Sequence, residues 1–403
     1  MTNVIFANDI NSLTKNLVQI AKENNSQLKS QYNLWQAEVE KIGYMTKLPN
    51  PNLSFGYFLE NIETAVGPQE YKIGISQKLP WFGKLQTSKK IQILNADIRH
   101  FNIQKSLDEI EFHIKESLYN YYYISEIQKI TQKNLSLLNQ WNKILESKYQ
   151  TSSKSYTDVI KIHQEIFKME ELLASMEKKQ KQAILSLESI TESKINNLDD
   201  YSIESEFLNS ALENIHINNN PDLQILKLKN EIARLAKHRA NQEYIPDAGI
   251  ALDYILTGDK YQSDGTKVKE SGINPFVLMF SLELPLQFRK ISKNIKSKEY
   301  HEKSLIDLEM ELRKNLFLEL EKMMIQLNDL QSKYNIYNNK IIPKSEQIIE
   351  IQMTELASGK IDIFNLIETQ RDLLRYKLKL MEIQRDHSIV IAKISKIIGS
   401  DEK

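Results

Sequence analysis

From Lys84 to Tyr149 the sequence contains neither glycine nor proline. Both residues break helices, one by backbone entropy and the other by lacking a donor. Their absence over about 65 residues leaves a helix free to run close to 100 Å. Compact domains have no need of such a rod. Just ahead of it stands "GISQKLPWFGK", an alternating apolar run that ends in a Pro-Trp-Phe-Gly knot. The arrangement returns in "FSLELPLQFRKISKNIKSKEY", with Pro285 in place of Pro80, and an uninterrupted helical pattern follows from Arg289 to about Leu356. There Leu305, Leu308, Leu312, Leu316, Leu320, Met323, Leu327, Leu330, Tyr334 and Tyr337 keep spacings of three and four. They form one apolar seam of the coiled-coil kind.

The whole chain doubles this plan. A helical pattern from about Asn8 to Lys47, with Asn8 or Asn11 as its cap, is broken by Pro49 and Pro51. Two alternating segments at about 52–61 and 70–79 follow, separated by the polar "ETAVGPQE". After the long helix come a turn, "QTSSKS", and a helix to about Ser193. The second half opens with Pro221 at a helix first turn and has alternating segments at about 248–257 and 276–284. Its long helix is followed by a turn, "ASGK", and a last helix to about Ile398. This predicts a single elongated chain, 1–403, with an internal duplication: a first repeat 1–195, a bridge 196–220 and a second repeat 221–403.

The four short segments alternate with period two, so each strand has one apolar and one mostly polar face. Leu53, Phe55, Tyr57 and Leu59 share a face of the first, with Phe58 out of phase. Tyr71, Ile73 and Ile75 do so in the second, Ala248, Ile250, Leu252, Tyr254 and Leu256 in the third, and Phe276, Leu278, Phe280, Leu282 and Leu284 in the fourth. A soluble antiparallel sheet packed on helices alternates in the same way. Strands of about 9 to 11 residues also suit a tilted crossing of an outer membrane. Trp81, Phe82 and Phe288 near the strand ends suit its interface. Four strands cannot close a barrel, for which about eight are needed, so several copies have to pool theirs.

Composition narrows the alternatives. The 403 residues carry 53 basic and 53 acidic side chains, so no charge excess points to nucleic acid. With no cysteine, disulfides, thiolate metal sites and a thiol nucleophile are excluded. The start, "MTNVIFANDINSLTKN", lacks the form of a secretory signal, and no window of about 18 apolar residues exists.

"LPNPNLSFGY", "GISQKLPWFGK", "ESKYQTSSKSYTDVIKIHQE" and "TELASGKIDIFNLIETQRDLL" together resemble the TolC-like outer-membrane efflux protein family over nearly the whole chain. The resemblance implies a mainly α fold with a four-stranded antiparallel contribution. It implies a homotrimer with twelve strands in one outer-membrane barrel and long helices forming a periplasmic tunnel. Such a channel is the exit duct of a tripartite pump. A periplasmic adaptor (membrane fusion) protein connects it to an inner-membrane transporter, and outer-membrane lipid surrounds its barrel. Two departures stand out: the chain lacks the cysteine that many relatives lipidate, and Ser152 stands where the family often has glycine, which Gly359 retains in the second turn.

By this resemblance Glu368 and Asn365, just after the second turn, and Asp158, after the first, form a periplasmic gate. A ring of carboxylates would narrow a pore and favour cations, whereas an ordinary solvated helix face would explain the same residues. Like charges brought together there would raise a carboxylate pKa. Glu165, farther along its helix, is expected to stand outside the ring. Lys72, Asp253 and Glu283 are expected to line the barrel lumen. Pro80, Trp81, Phe82, Gly83 and Pro285 would mark the membrane-interface hinge between strand and helix.

No cofactor is implied. Glu213 and His216 make one Glu-x-x-His, where a dimetal centre needs two, and the seven histidines contain no His-Glu-x-x-His. "YNYYYIS" from Tyr119 could stack bases, yet on a helix its rings diverge, which favours packing between helices. No phosphate loop, nucleophile elbow or other catalytic motif occurs. Two readings remain: a passive conduit, or a soluble coiled-coil adaptor or scaffold with a small sheet as its head.

Overall fold

The structure is a computed structural model that describes residues 8–150, 156–195, 198, 201–202, 217–358 and 360–399. In chain order its elements are β1 Asn8–Asp9, α1 Ile10–Asn24, α2 Ser26–Met45, β2 Asn52–Thr64, β3 Gly67–Leu79, α3 Lys84–Gln150, α4 Tyr156–Thr191 and β4 Tyr201–Ser202. Then follow α5 Pro221–Asn241, β5 Asp247–Thr257, β6 Phe276–Glu283, α6 Phe288–Ile336, α7 Ile342–Ala357 and α8 Ile363–Ile398. The chain folds as two units. One holds Met1–Gln31, Asn102–Gln224 and Glu311–Lys403, and the other holds Tyr32–Phe101 and Ile225–Met310.

The first unit is helical, apart from a short parallel pairing of β1 with β4. Its apolar seams mesh: Leu316, Leu320, Met323, Leu327 and Leu330 of α6 meet Ile383, Val390, Ile394 and Ile397 of α8. The expected α6 seam is present, except that Leu308 is exposed. Tyr121 and Tyr122 lie in the core formed by α1, α3 and α4, so the tyrosine run packs helices together. Burial raises the Tyr123 phenol above its ordinary pKa.

Two helices expected to be continuous are interrupted. Asn25 separates α1 from α2: its side chain accepts from Leu28 N–H at 2.9 Å and donates to the Ile190 carbonyl at 2.8 Å. The side chain thus caps α2 and ties it to the end of α4. Just beyond, Glu192 adopts φ 47° and its carboxylate receives Ser26 Oγ at 2.7 Å and Ser26 N–H at 2.8 Å. These bonds hold the Glu192 carboxyl below its ordinary pKa. The junction recurs in the second half. Asn220 accepts from Leu223 N–H at 3.2 Å and donates to the Ile397 carbonyl at 2.8 Å, next to Gly399 with φ 86°. Here Pro221 has no N–H to satisfy and Gly399 has no carboxylate to offer.

The other interruption falls between α6 and α7, where Tyr337–Ile341 form a π-helical turn. Pro343 lies just past it, and its missing N–H and ring disturb the i→i−4 ladder at this point.

The second unit carries an antiparallel sheet in the order β2-β3-β5-β6. The strands of the first hairpin are longer than expected, and "ETAVGPQE" is mostly strand. Its turn narrows to Ala65–Val66, closed by Thr64 Oγ1 donating to the Gly67 carbonyl at 2.6 Å. Gly67 has φ 130°, and a side chain there would collide with the Gly258 carbonyl. A register shift between Tyr57 and Ile62 accounts for Phe58, which falls out of phase at a bulge.

Candidate functional site

Pairing across the sheet converts the alternating sequences into two continuous surfaces. Leu53, Ile75, Leu252 and Leu278 stand in one row, and Phe55, Ile73, Tyr254 and Phe276 in the next. Most of this face is bare: Leu53 is 74% exposed and Phe280 78%. Its aromatics gather at both ends. Tyr57 and Tyr71 are 5.1 Å apart, and Tyr254 and Phe276 4.8 Å, on the loop side. Trp81 packs against Phe82, and Phe288 stacks on Tyr244, on the helix side. About ten residues separate Tyr71 from Trp81, roughly 33 Å along a strand, or roughly 25 Å in height at a barrel tilt. That is the spacing of two aromatic girdles.

The opposite face is polar. Asp253 is buried beside Lys72, with Oδ2 and Nζ 2.5 Å apart. Glu283 is exposed and pairs with Lys78. Sequence reasoning passed over Gly74, which makes room for Asp253: a Cβ there would collide with the carboxylate and lie 2.8 Å from Ser54 Oγ.

The hinge is built by bonds that the sequence did not announce. Lys84, the first residue of α3, is buried, with Nζ 2.6 Å from Asp247 Oδ1 and 2.8 Å from the Ile245 carbonyl that it donates to. Trp81 N–H donates to the same carboxylate oxygen at 2.9 Å. Gly83 has φ 89°, which lets the chain turn from strand into helix. In the second half Pro285 lies between β6 and α6 with Leu286 and Phe288 exposed around it.

In the first unit α4 and α8 begin in one apolar cluster, with Val159 and Ile162 against Ile363, Leu366 and Ile367. Lys161 lies 3.8 Å from the Phe364 ring centroid and adds a cation–π contact. Asp158 is buried in the first turn of α4, whereas Asn365 and Glu368 are exposed on α8. Within one chain Glu368 meets a cation, Arg371, at 3.6 Å, and Arg371 also reaches Glu165 at 3.9 Å. Glu165 therefore shares a network with Glu368 and does not stand apart from it. The signal was Glu-x-x-Arg on α8, three residues apart and on one face. Ser152, Gly359, Glu213 and His216 lie outside the described residues. Among the described residues no group of three His, Asp or Glu is placed to hold a metal, and no helix is long and apolar enough to cross a membrane.

Among the described residues the four-stranded sheet thus has a bare apolar face, and its outer strands β2 and β6 each pair on one side only. No family model and no curated protein matches the sequence. Solved structures do. VceC, an outer membrane protein of Vibrio cholerae, is 13% identical, with 97% of each chain covered and a TM-score of 0.74. The MtrE outer membrane channel of Neisseria gonorrhoeae, solved in its open state, is 14% identical, with 97% of this chain and 89% of that chain covered and a TM-score of 0.75. CusC, whose structures concern folding and transmembrane channel formation, is 13% identical, with 98% and 93% covered and a TM-score of 0.76. The fold is the TolC-like fold of outer-membrane efflux channels.

Proposed function

We propose that this chain is the outer-membrane exit duct of a tripartite efflux or secretion pump. Three copies form a homotrimer whose twelve strands close one barrel in outer-membrane lipid, while their helices line a periplasmic tunnel. The halves 1–195 and 221–403, joined by 196–220, are duplicated repeats. A periplasmic adaptor engages the helix-turn end and passes on cargo from an inner-membrane transporter. The observation that supports this reading is the sheet, with a bare apolar face and two unpaired edges. In water both features invite aggregation. In lipid the apolar face is matched, but the edges have to be closed by other strands.

Lys72, Asp253 and Glu283 then face the barrel lumen, and Pro80 to Gly83 and Pro285 turn the chain at the membrane interface. Glu368 and Asn365, with Asp158 behind them, narrow the tunnel at its periplasmic end, and Arg371 moderates the charge of the ring. The test is recording of the purified protein in planar bilayers. Glu368→Gln is expected to lower cation preference and alter conductance. Unchanged selectivity and conductance would remove Glu368 from the gate. Monodisperse behaviour without detergent would overturn the channel reading as a whole.

A further inference from the structure

The β3–β5 seam is where the strands of the two halves meet, and its base is fastened by the bonds of Lys84 and Trp81 to Asp247 and of Lys84 to the Ile245 carbonyl. Each partner has a counterpart at the outer edges of the sheet. Matching Pro285 to Pro80 places Leu286 with Trp81 and Arg289 with Lys84. Matching Pro51 to Pro246 places Asn50 with Ile245 and Asn52 with Asp247. Arg289, Asn50 and Asn52 are exposed, and among the described residues neither Arg289 nor Asn52 has a side-chain partner. The chemistry is preserved in kind: a cation faces a side-chain oxygen and a backbone carbonyl, which suits charge-assisted hydrogen bonds.

We propose that the two free edges repeat the internal seam between copies. β6 of one copy pairs with β2 of the next in the β3–β5 register, and Arg289 donates to the Asn52 side chain and the Asn50 carbonyl of that neighbouring copy. This rests on the reading that copies share one barrel, and it adds which residues meet. The register sets Leu282 opposite Phe55, Phe280 opposite Tyr57 and Leu284 opposite Leu53 of the neighbour. Each pair joins apolar side chains on one face, whereas a slip by one residue would set Leu284 and Leu282 against Asn52, Ser54 or Gly56, and only Phe280 could still meet an apolar side chain, Phe58. Direction agrees as well. Both hairpins and the seam are antiparallel, so β6 runs as β3 does and β2 as β5 does, and the new seam is antiparallel too.

The chain has no cysteine, so introduced thiols are unique. Opposed residues on antiparallel strands have Cα atoms about 4.5–5.5 Å apart, within disulfide reach, and a slip of two residues adds roughly 6.6 Å along the strand. Leu282→Cys with Phe55→Cys is expected, on mild oxidation in membranes, to move most of the chain into covalent multimers up to the trimer. Leu282→Cys with Tyr57→Cys or with Leu53→Cys is expected to stay mostly monomeric on denaturing gels. Preferential linking in either displaced pair overturns the register. No linking in any pair, with a multimer by native mass, overturns the edge pairing. A monomer by native mass instead overturns the shared barrel itself. Arg289→Ala is expected to lower the temperature at which the multimer dissociates while the helical circular dichroism of each chain is unchanged; an unshifted temperature removes Arg289 from the seam.

Discussion

Arginine at Leu252 tests the orientation of the sheet. Leu252 is the middle residue of β5 and pairs with Ile75 on one side and Leu278 on the other, so it lies at mid-depth of the face assigned to lipid. Arginine at the midplane of an outer-membrane barrel costs roughly 2–4 kcal/mol. At about 1.4 kcal/mol per tenfold, insertion of each chain weakens by roughly 30- to 700-fold. Three copies in one barrel raise the total to roughly 6–12 kcal/mol, comparable with the whole stability of many proteins. Ala251 is the matched control. It pairs with Ser76 and Met279, points to the other face and differs in depth by only about 3.3 Å. On the face proposed to line the lumen, arginine is expected to change insertion by less than about 1 kcal/mol. Outer-membrane fractionation, followed by electrophoresis of heated and unheated samples, reads both variants. Folding into liposomes against urea gives the energies. Equal losses at the two positions, or normal insertion of both, would refute the assignment of faces.

Gly74→Ala is expected to cost about 1–3 kcal/mol by overpacking, since the methyl displaces Asp253 from Lys72, and urea titration of the reconstituted protein measures it. Acid should weaken the helical unit in two stages. Burial lowers the His387 pKa, so below its ordinary value of 6.5 the unfolded chain takes up a proton that the folded chain resists, and stability falls with pH. Glu192, held low by its bonds to Ser26, keeps its contribution above the ordinary value of 4.5 and loses it as pH falls farther. Thermal melts from pH 7 to about 2.5 should show the first stage blunted in His387→Gln and the second, below the ordinary 4.5, blunted in Glu192→Gln; melts that track the parent chain would refute both.

The sheet was the legible part of this fold, because alternation over short strands records face directly and the apolar rows needed only pairing to become a surface. Even the misfit at Phe58 carried information, since a bulge shifts the phase of whatever follows it. Interruptions of the helices were less legible. Asparagine is tolerated within helices, and what makes Asn25 a break is its bond to Ile190, far away in the chain. The effect of Pro343 was a local signal that the seam of leucines before it concealed. For the residues of the proposed gate, position relative to a turn could be read, but exposure could not. Asp158 is buried because α4 and α8 begin in one cluster, and the pairing of Glu368 with Arg371 depends on side chains one helical turn apart.

At the two helix junctions the residues have exchanged as pairs. Where α2 begins with Ser26, Glu192 follows the end of α4; where α5 begins with Pro221, Gly399 follows the end of α8. A carboxylate at 399 would find no amide at 221, and even a Cβ would lie 2.5 Å from the Asn219 carbonyl. A proline at 26 would deprive Glu192 of its amide donor while leaving its backbone at φ 47°. Gly399→Glu and Ser26→Pro alone each lead downhill in stability, whereas glycine at 192 would suit the positive φ there, so the order in which the two positions change matters. The same rule binds a designer of chimeras: transplanting the start of α2 or α5 between halves requires transplanting the end of α4 or α8 with it, however distant the two segments are along the chain.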